Sequence, residues 1–272
     1  MTYEVRAIRL RTGVEVGVIV AGEPGPEPAL VMVPGVGGTK EVFSSVIPLL
    51  ACDRLVVAMD LSPRFARGWT VVDSAVDDLL EVVAAVGLSR YDLLGHSFGA
   101  LVAARTARSR PAEVRKLVLA SPAVIPATMA GVSIVWGWLF MGAAIRYWPR
   151  SRPDRLSTFV KRCGGFPLEP EVEGESFEAM TKRIRETKLW PLVRRIWGVA
   201  GRSWASELKG VTAPILVIEG DQEFAFLPQA IVEIFRGGAG TKIVEIPGGH
   251  LPFLVRPEEF ARQVDAFLRA AQ

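Results

Sequence analysis

Short apolar runs keep returning along this chain, each ending in a turn and most followed by a helical pattern. They are 29–35 (ALVMVPG), 54–60 (RLVVAMD), 91–95 (YDLLG), 114–120 (VRKLVLA), 214–220 (PILVIEG) and 241–248 (TKIVEIPG). The runs are largely apolar rather than alternating, the pattern of strands covered on both faces. Helical apolar spacing predicts helices over 40–50, 70–87, 98–109 and 227–236, with a last amphipathic helix over 256–272 opened by Pro257. The alternation gives the α/β class: a mostly parallel central sheet flanked by helices. Residues 3–10 and 14–20 alternate instead, which predicts an antiparallel opening pair.

A chain of 272 residues, half of them hydrophobic, accommodates one large domain or one domain with an insertion. The net charge of +3, with no dense basic run, argues against a nucleic-acid partner. The start, MTYEVRAIRLRTG, lacks the apolar core of a signal peptide. Two cysteines, Cys52 and Cys163, do not make a disulfide framework and fit a reduced, cytoplasmic setting. With two cysteines and two histidines, no structural zinc site is expected.

The most informative junction is 91–107, YDLLGHSFGALVAARTA. A predicted strand runs into Gly95-His-Ser-Phe-Gly99 and straight into a helical pattern. A serine at such a turn is exposed above the carboxyl edge of the sheet. The first amides of the helix point at the same place and would stabilise an anion there. A nucleophilic serine needs a base. His96 adjoins Ser97 and is read as packing under the turn. His250, in the glycine-rich loop after the last strand (IPGGHLPF), leaves from the same edge and is the candidate base. The loop after 214–220 offers two acids, Asp221 and Glu223, either able to orient an imidazole.

With these motifs the chain resembles the α/β-hydrolase superfamily over nearly its full length. The order Ser97, acid at 221 or 223, His250 matches that family's order of nucleophile, acid and histidine. GHSFGA resembles its nucleophile elbow, and VMVPGVGGT (31–39) resembles its oxyanion loop, with Pro34 where the family usually has histidine. The resemblance implies backbone donors at Val36 and Phe98. It implies Glu223 as the acid, three residues after Gly220, where aspartate is usual. No Gly-rich nucleotide fingerprint appears, so no cofactor is expected. VPGVGGTK lacks the spacing of a phosphate loop, and the serine sets the chain apart from branches that use an aspartate nucleophile.

Residues 123–205 resemble the family's cap insertion, leaving 1–122 and 206–272 as the core. Its first part, 123–145, carries no charge. Pro126 and the glycines interrupting it argue for apolar cap helices over a membrane span. Six of the seven tryptophans fall in the insertion, which points to a pocket roof, with Trp136 and Leu139 on one helical face. The stretch 146–202 is basic, a solvated face or a membrane-surface or carrier-protein contact. Three functions follow: a serine hydrolase of esters or thioesters with a hydrophobic acyl substrate; a cyclase, acyl transferase or lyase of the same fold; or a ligand-binding relative with a degenerate triad.

Overall fold

The computed structural model describes residues 3–62, 71–123, 189–199, 204–221 and 240–271, with isolated positions between 136 and 185. Eight strands form one sheet in the order β1-β2-β4-β3-β5-β6-β7-β8. They are β1 Tyr3–Arg9, β2 Glu15–Ala21, β3 Leu30–Val33, β4 Val56–Met59, β5 Tyr91–His96, β6 Val114–Ala120, β7 Ile215–Gly220 and β8 Thr241–Ile246. β1 pairs antiparallel with β2, and β2 antiparallel with β4. Every later pairing is parallel. All side chains of β3, β4, β5 and β7 are buried, as their unbroken apolar runs require.

The alternating side chains of the central strands feed two cores. Val31, Val33, Leu93, Leu117 and Leu119 pack on one face with the helices α2 (Val71–Val86) and α3 (Phe98–Ser109). Met32, Leu94, Val118, Leu216 and Ile218 pack on the other with α1 (Ile47–Leu50) and the last helix. The segment 40–50 is not one helix. It is a 3-10 turn over Lys40–Phe43 followed by the single turn α1. Pro48 explains the break: it lacks an N–H and suits the first turn of a helix, not its interior. The helix expected over 227–236 lies outside the described residues.

Of the insertion, the described positions from 136 to 147 are helical. Further on come α4 (Leu189–Val199) and α5 (Trp204–Leu208), which runs across the expected boundary at 205/206. No described helix is long and apolar enough to cross a membrane.

After β8 come a short helix, α6 (Pro252–Val255), and the final helix, α7 (Pro257–Arg269). The C-terminal end of α7 is held by cations from β6. Lys116, 2 % exposed, donates to the carbonyls of Phe267 (2.9 Å), Leu268 (3.2 Å) and Ala270 (2.6 Å). Arg115 donates to Leu268 O at 2.8 Å and to both oxygens of the buried Asp92. These bonds satisfy the carbonyls that a helix end leaves bare and place positive charge at the negative pole. They also fix the C-terminal end of the helix that follows the His250 loop.

Lys116→Met keeps the length of the side chain and removes the donor. It is expected to cost about 3 kcal/mol, a fall in Tm of roughly 6–12 °C. Lys242→Met, on the exposed side of β8, is expected to change Tm by about 1–2 °C at most. Thermal melts of the two variants check this.

Candidate active site

Ser97 closes β5 and opens α3 with φ 54° and ψ −116°. It is one of two described non-glycine residues with positive φ, the other being Ser121 at 41°. Such a backbone costs on the order of 1–3 kcal/mol and persists only where its surroundings over-determine it. They do so here. The Ser97 N–H donates to Ala120 O at 3.0 Å, and its carbonyl accepts the Ala100 N–H at 3.0 Å. A methyl on Gly95 would lie 2.2 Å from Gly99 O, and one on Gly99 would lie 2.2 Å from Val33 O. The two glycines therefore let α3 leave the sheet in direct backbone contact with β5 and β3. Ser97 itself is 7 % exposed.

The loop after β3 lies against this turn. A methyl on Gly35 would sit 3.0 Å from both Ser97 Cβ and His96 Nδ1. The Gly38 N–H donates to Gly35 O at 2.9 Å, and Gly37 has φ 70°, the pattern of a type II turn with Val36 at its first central position. Contacts just beyond Pro34 hold this loop. The Lys40 N–H donates to Asp60 Oδ1 at 2.9 Å, and Lys40 Nζ lies 3.4 Å from Asp60 Oδ2 and 2.6 Å from Glu41. Burial works against the Lys40 ammonium, yet the two carboxylates hold its pKa above the ordinary lysine value. Asp60 was visible in the sequence only as an acid ending an apolar run.

The histidine loop comes from the other side. Gly220 ends β7 in contact with it: a methyl there would lie 2.2 Å from Gly249 O and 2.5 Å from Gly248 O. Gly248, at φ 139°, donates its N–H to Asp221 Oδ1 at 3.0 Å. His250 is 3 % exposed. Its carbonyl lies 2.9 Å from His96 Nε2, and the two imidazoles are 4.8 Å apart. His96 also meets the Phe253 ring edge-on at 5.0 Å. Burial, with His250 beside it, holds the His96 pKa well below the ordinary histidine value.

Residues 30–263 match the family model described as the alpha/beta hydrolase family. The chain belongs to the alpha/beta hydrolase family. This hydrolase is 24 % identical over 271 residues to the 3-hydroxybutyrate-oligomer hydrolase of Cupriavidus necator, covering 88 % of each chain. It is 32 % identical over 255 residues to a Rhizobium rhizogenes protein assigned as a carbamate hydrolase, RutD, covering 89 % of this chain and 92 % of that one. Among solved structures it is similar to the esterase EaEST from Exiguobacterium antarcticum, with a TM-score of 0.78 at 18 % identity, covering 98 % of this chain and 100 % of that one. By kinship the chain is an esterase-like hydrolase.

In this hydrolase, then, Ser97, the Gly35–Val36 loop, the first turn of α3 with Phe98, and His250 meet at the carboxyl edge of the sheet. Asp221 is exposed and bonded to the backbone of the His250 loop, and Glu223 lies outside the described residues. The two insertion residues separate. Leu139 is partly buried against the core that contains Phe98, whereas Trp136 is 63 % exposed. A further residue the sequence reading did not single out for this role is Trp204. Its Nε1–H donates to Ala123 O at 2.9 Å, and the Ala123 N–H reaches Ser97 O at 3.4 Å. This ties the end of the insertion to the elbow.

The bond from Asp221 to the Gly248 amide gives Asp221 a loop-holding role, and the expectation that Glu223 is the orienting acid is tested by substitution. Glu223→Gln is expected to lower kcat by about two orders of magnitude or more. Asp221→Asn, which keeps an acceptor for the Gly248 amide, is expected to lower it by less than about tenfold. Steady-state rates on one aryl ester, with melts to verify folding, check the ranking.

Proposed function

We propose that this hydrolase cleaves esters or thioesters of a hydrophobic acyl group through an acyl-enzyme on Ser97. The observation that carries the reading is the strained, over-determined Ser97 backbone beside a buried second histidine on a separate loop. In the first step Ser97 Oγ attacks the carbonyl carbon while His250 takes its proton. The negative charge developing on the carbonyl oxygen is met by the Val36 and Phe98 amides, Phe98 adding the positive pole of α3. Glu223 orients the imidazole and stabilises its charged form. When the tetrahedral centre collapses, the alkoxide or thiolate leaves with the proton from His250. Water then attacks the acyl-enzyme, giving its proton to His250, and the acid departs as Ser97 regains its hydroxyl. No cofactor enters this scheme.

The relatives support an acyl-type bond as the target, one being named for 3-hydroxybutyrate oligomers and one for a carbamate. The hydrophobic acyl side rests on the uncharged 123–145 stretch and on Leu139, which packs toward the core containing Phe98. Trp136, with its exposed ring, offers such a pocket less support than Leu139.

A fluorophosphonate probe is expected to label Ser97 and no other serine; labelling that survives Ser97→Ala sinks the reading. A straight-chain ester series should gain about 0.8 kcal/mol of binding per methylene, roughly fourfold in kcat/KM, up to a pocket limit. Leu139→Ala should flatten that rise more than Trp136→Ala. A flat profile in the parent enzyme removes the acyl pocket. Products lacking an added water would move the activity to a cyclase or transferase.

A further inference from the structure

His96 is one of only two histidines in the chain, and the scheme above gives it no task. Its surroundings are specific. The ring is 4 % exposed and lies between three segments that must meet for the site to exist. It follows β5 directly and precedes Ser97. Its Nδ1 edge faces Gly35, where a methyl would come within 3.0 Å. Its Nε2 lies 2.9 Å from the main-chain carbonyl of His250. A carbonyl oxygen only accepts, so Nε2 carries the hydrogen and Nδ1 of the neutral ring is bare. The tautomer is therefore set by the very residue that would act as base. The Phe253 ring, edge-on at 5.0 Å and itself packed between Phe43 and Phe260, keeps the imidazole from tilting away from that carbonyl.

We propose that His96 is a positioning residue for the base: its Nε2–H, held on the His250 carbonyl, sets the depth at which the His250 loop meets Ser97. The idea rests on Ser97 and His250 being nucleophile and base. The glycines before His250 explain why a clamp is needed. Gly248 and Gly249 leave the loop backbone free to move, and the bond from Gly248 to Asp221 fixes only the approach, two residues upstream. His96 grips the residue itself. It must stay uncharged to do so. His250 is the titratable group facing it, and a second imidazolium 4.8 Å away would resist the charge that His250 takes up in catalysis. Burial keeps His96 neutral, in agreement with its depressed pKa.

Three substitutions separate the donated hydrogen bond from plain packing. The amide nitrogen of Gln reaches the position of Nε2, that of Asn the position of Nδ1, and Leu offers neither. His96→Leu and His96→Asn are expected to lower both kcat on an aryl butyrate and the rate of fluorophosphonate labelling by about tenfold to a hundredfold. KM should stay within about threefold, and His96→Gln should keep most of the parent rates. Equal rates in parent and Leu variants overturn the proposal, as does an equal loss in the Gln and Leu variants. A parent enzyme not labelled at Ser97 overturns the catalytic reading instead. Where the variants fail to fold, nitrogen-15 spectra of histidine-labelled parent protein decide. The His96 ring should show the neutral Nε2–H tautomer and resist protonation well below the ordinary histidine pKa. An Nδ1–H tautomer of the His96 ring, or its protonation in the ordinary histidine range, rejects the clamp.

Discussion

The approach of α3 to β3 is the constraint on which the site depends. Backbone meets backbone there, with no room for a single methyl between Gly99 and Val33 O or between Gly95 and Gly99 O. Only that closeness turns the chain sharply enough to put Ser97 at positive φ, above the sheet and at the first turn of a helix. The strain is offset by the bonds from Ser97 to Ala120 and Ala100, and by the buried core under Phe98, Leu101 and Val102. Any residue larger than glycine at 95 or 99 would move α3 outward. The amides at the start of α3 would go with it, so the position of Ser97 and that of the first turn of α3 are one structural event.

The second half of the site is assembled from parts distant in sequence. The His250 loop is fastened at its start by Asp221, at its middle by His96, and beyond it by Phe253 and α7. The far end of α7 is in turn gripped by Lys116 and Arg115 of β6. Strand β6 thus serves the site twice: Ala120 receives the Ser97 amide, and Lys116 anchors the helix that follows the His250 loop. A cationic side chain with 2 % exposure on a central strand is costly unless several acceptors converge on it, and three carbonyls do.

The elements that were legible in the sequence are those whose cause is local. Apolar runs marked β3 to β8, and the 3.6-residue period marked α2 and α3, because each pattern lies within the element itself. Ser97 and His250 could be placed at one edge because a parallel sheet sends every strand's carboxyl end the same way. Contacts made across the fold were not legible. The donation from His96 to a carbonyl 154 positions away leaves no periodic trace, nor does the link from Trp204 to Ala123. The segment 40–50 misled because its apolar spacing is helical while Pro48 divides it. Trp136 and Leu139 were read as one face, since both fit helical spacing, but spacing alone does not say which part of the face turns inward.

Ser121 shows how strain is shared at this edge. His96 pairs in register with Ala120, so the next residues, Ser97 and Ser121, are equivalent positions on neighbouring strands. Both have positive φ, and both begin an exit from the sheet. The Ser121 N–H is still bonded to Ile218 O on β7, as the Ser97 N–H is to Ala120 O on β6, so both strands leave the ladder at equivalent positions. Two residues on, the Ala123 N–H reaches Ser97 O and the Ala123 carbonyl receives Trp204. The bend at Ser121 thus brings the first residue of the insertion back onto the Ser97 turn. The insertion is coupled to Ser97 by main-chain geometry at its beginning and by a tryptophan at its end. A displacement of this segment would therefore be felt at the serine without passing through any substrate.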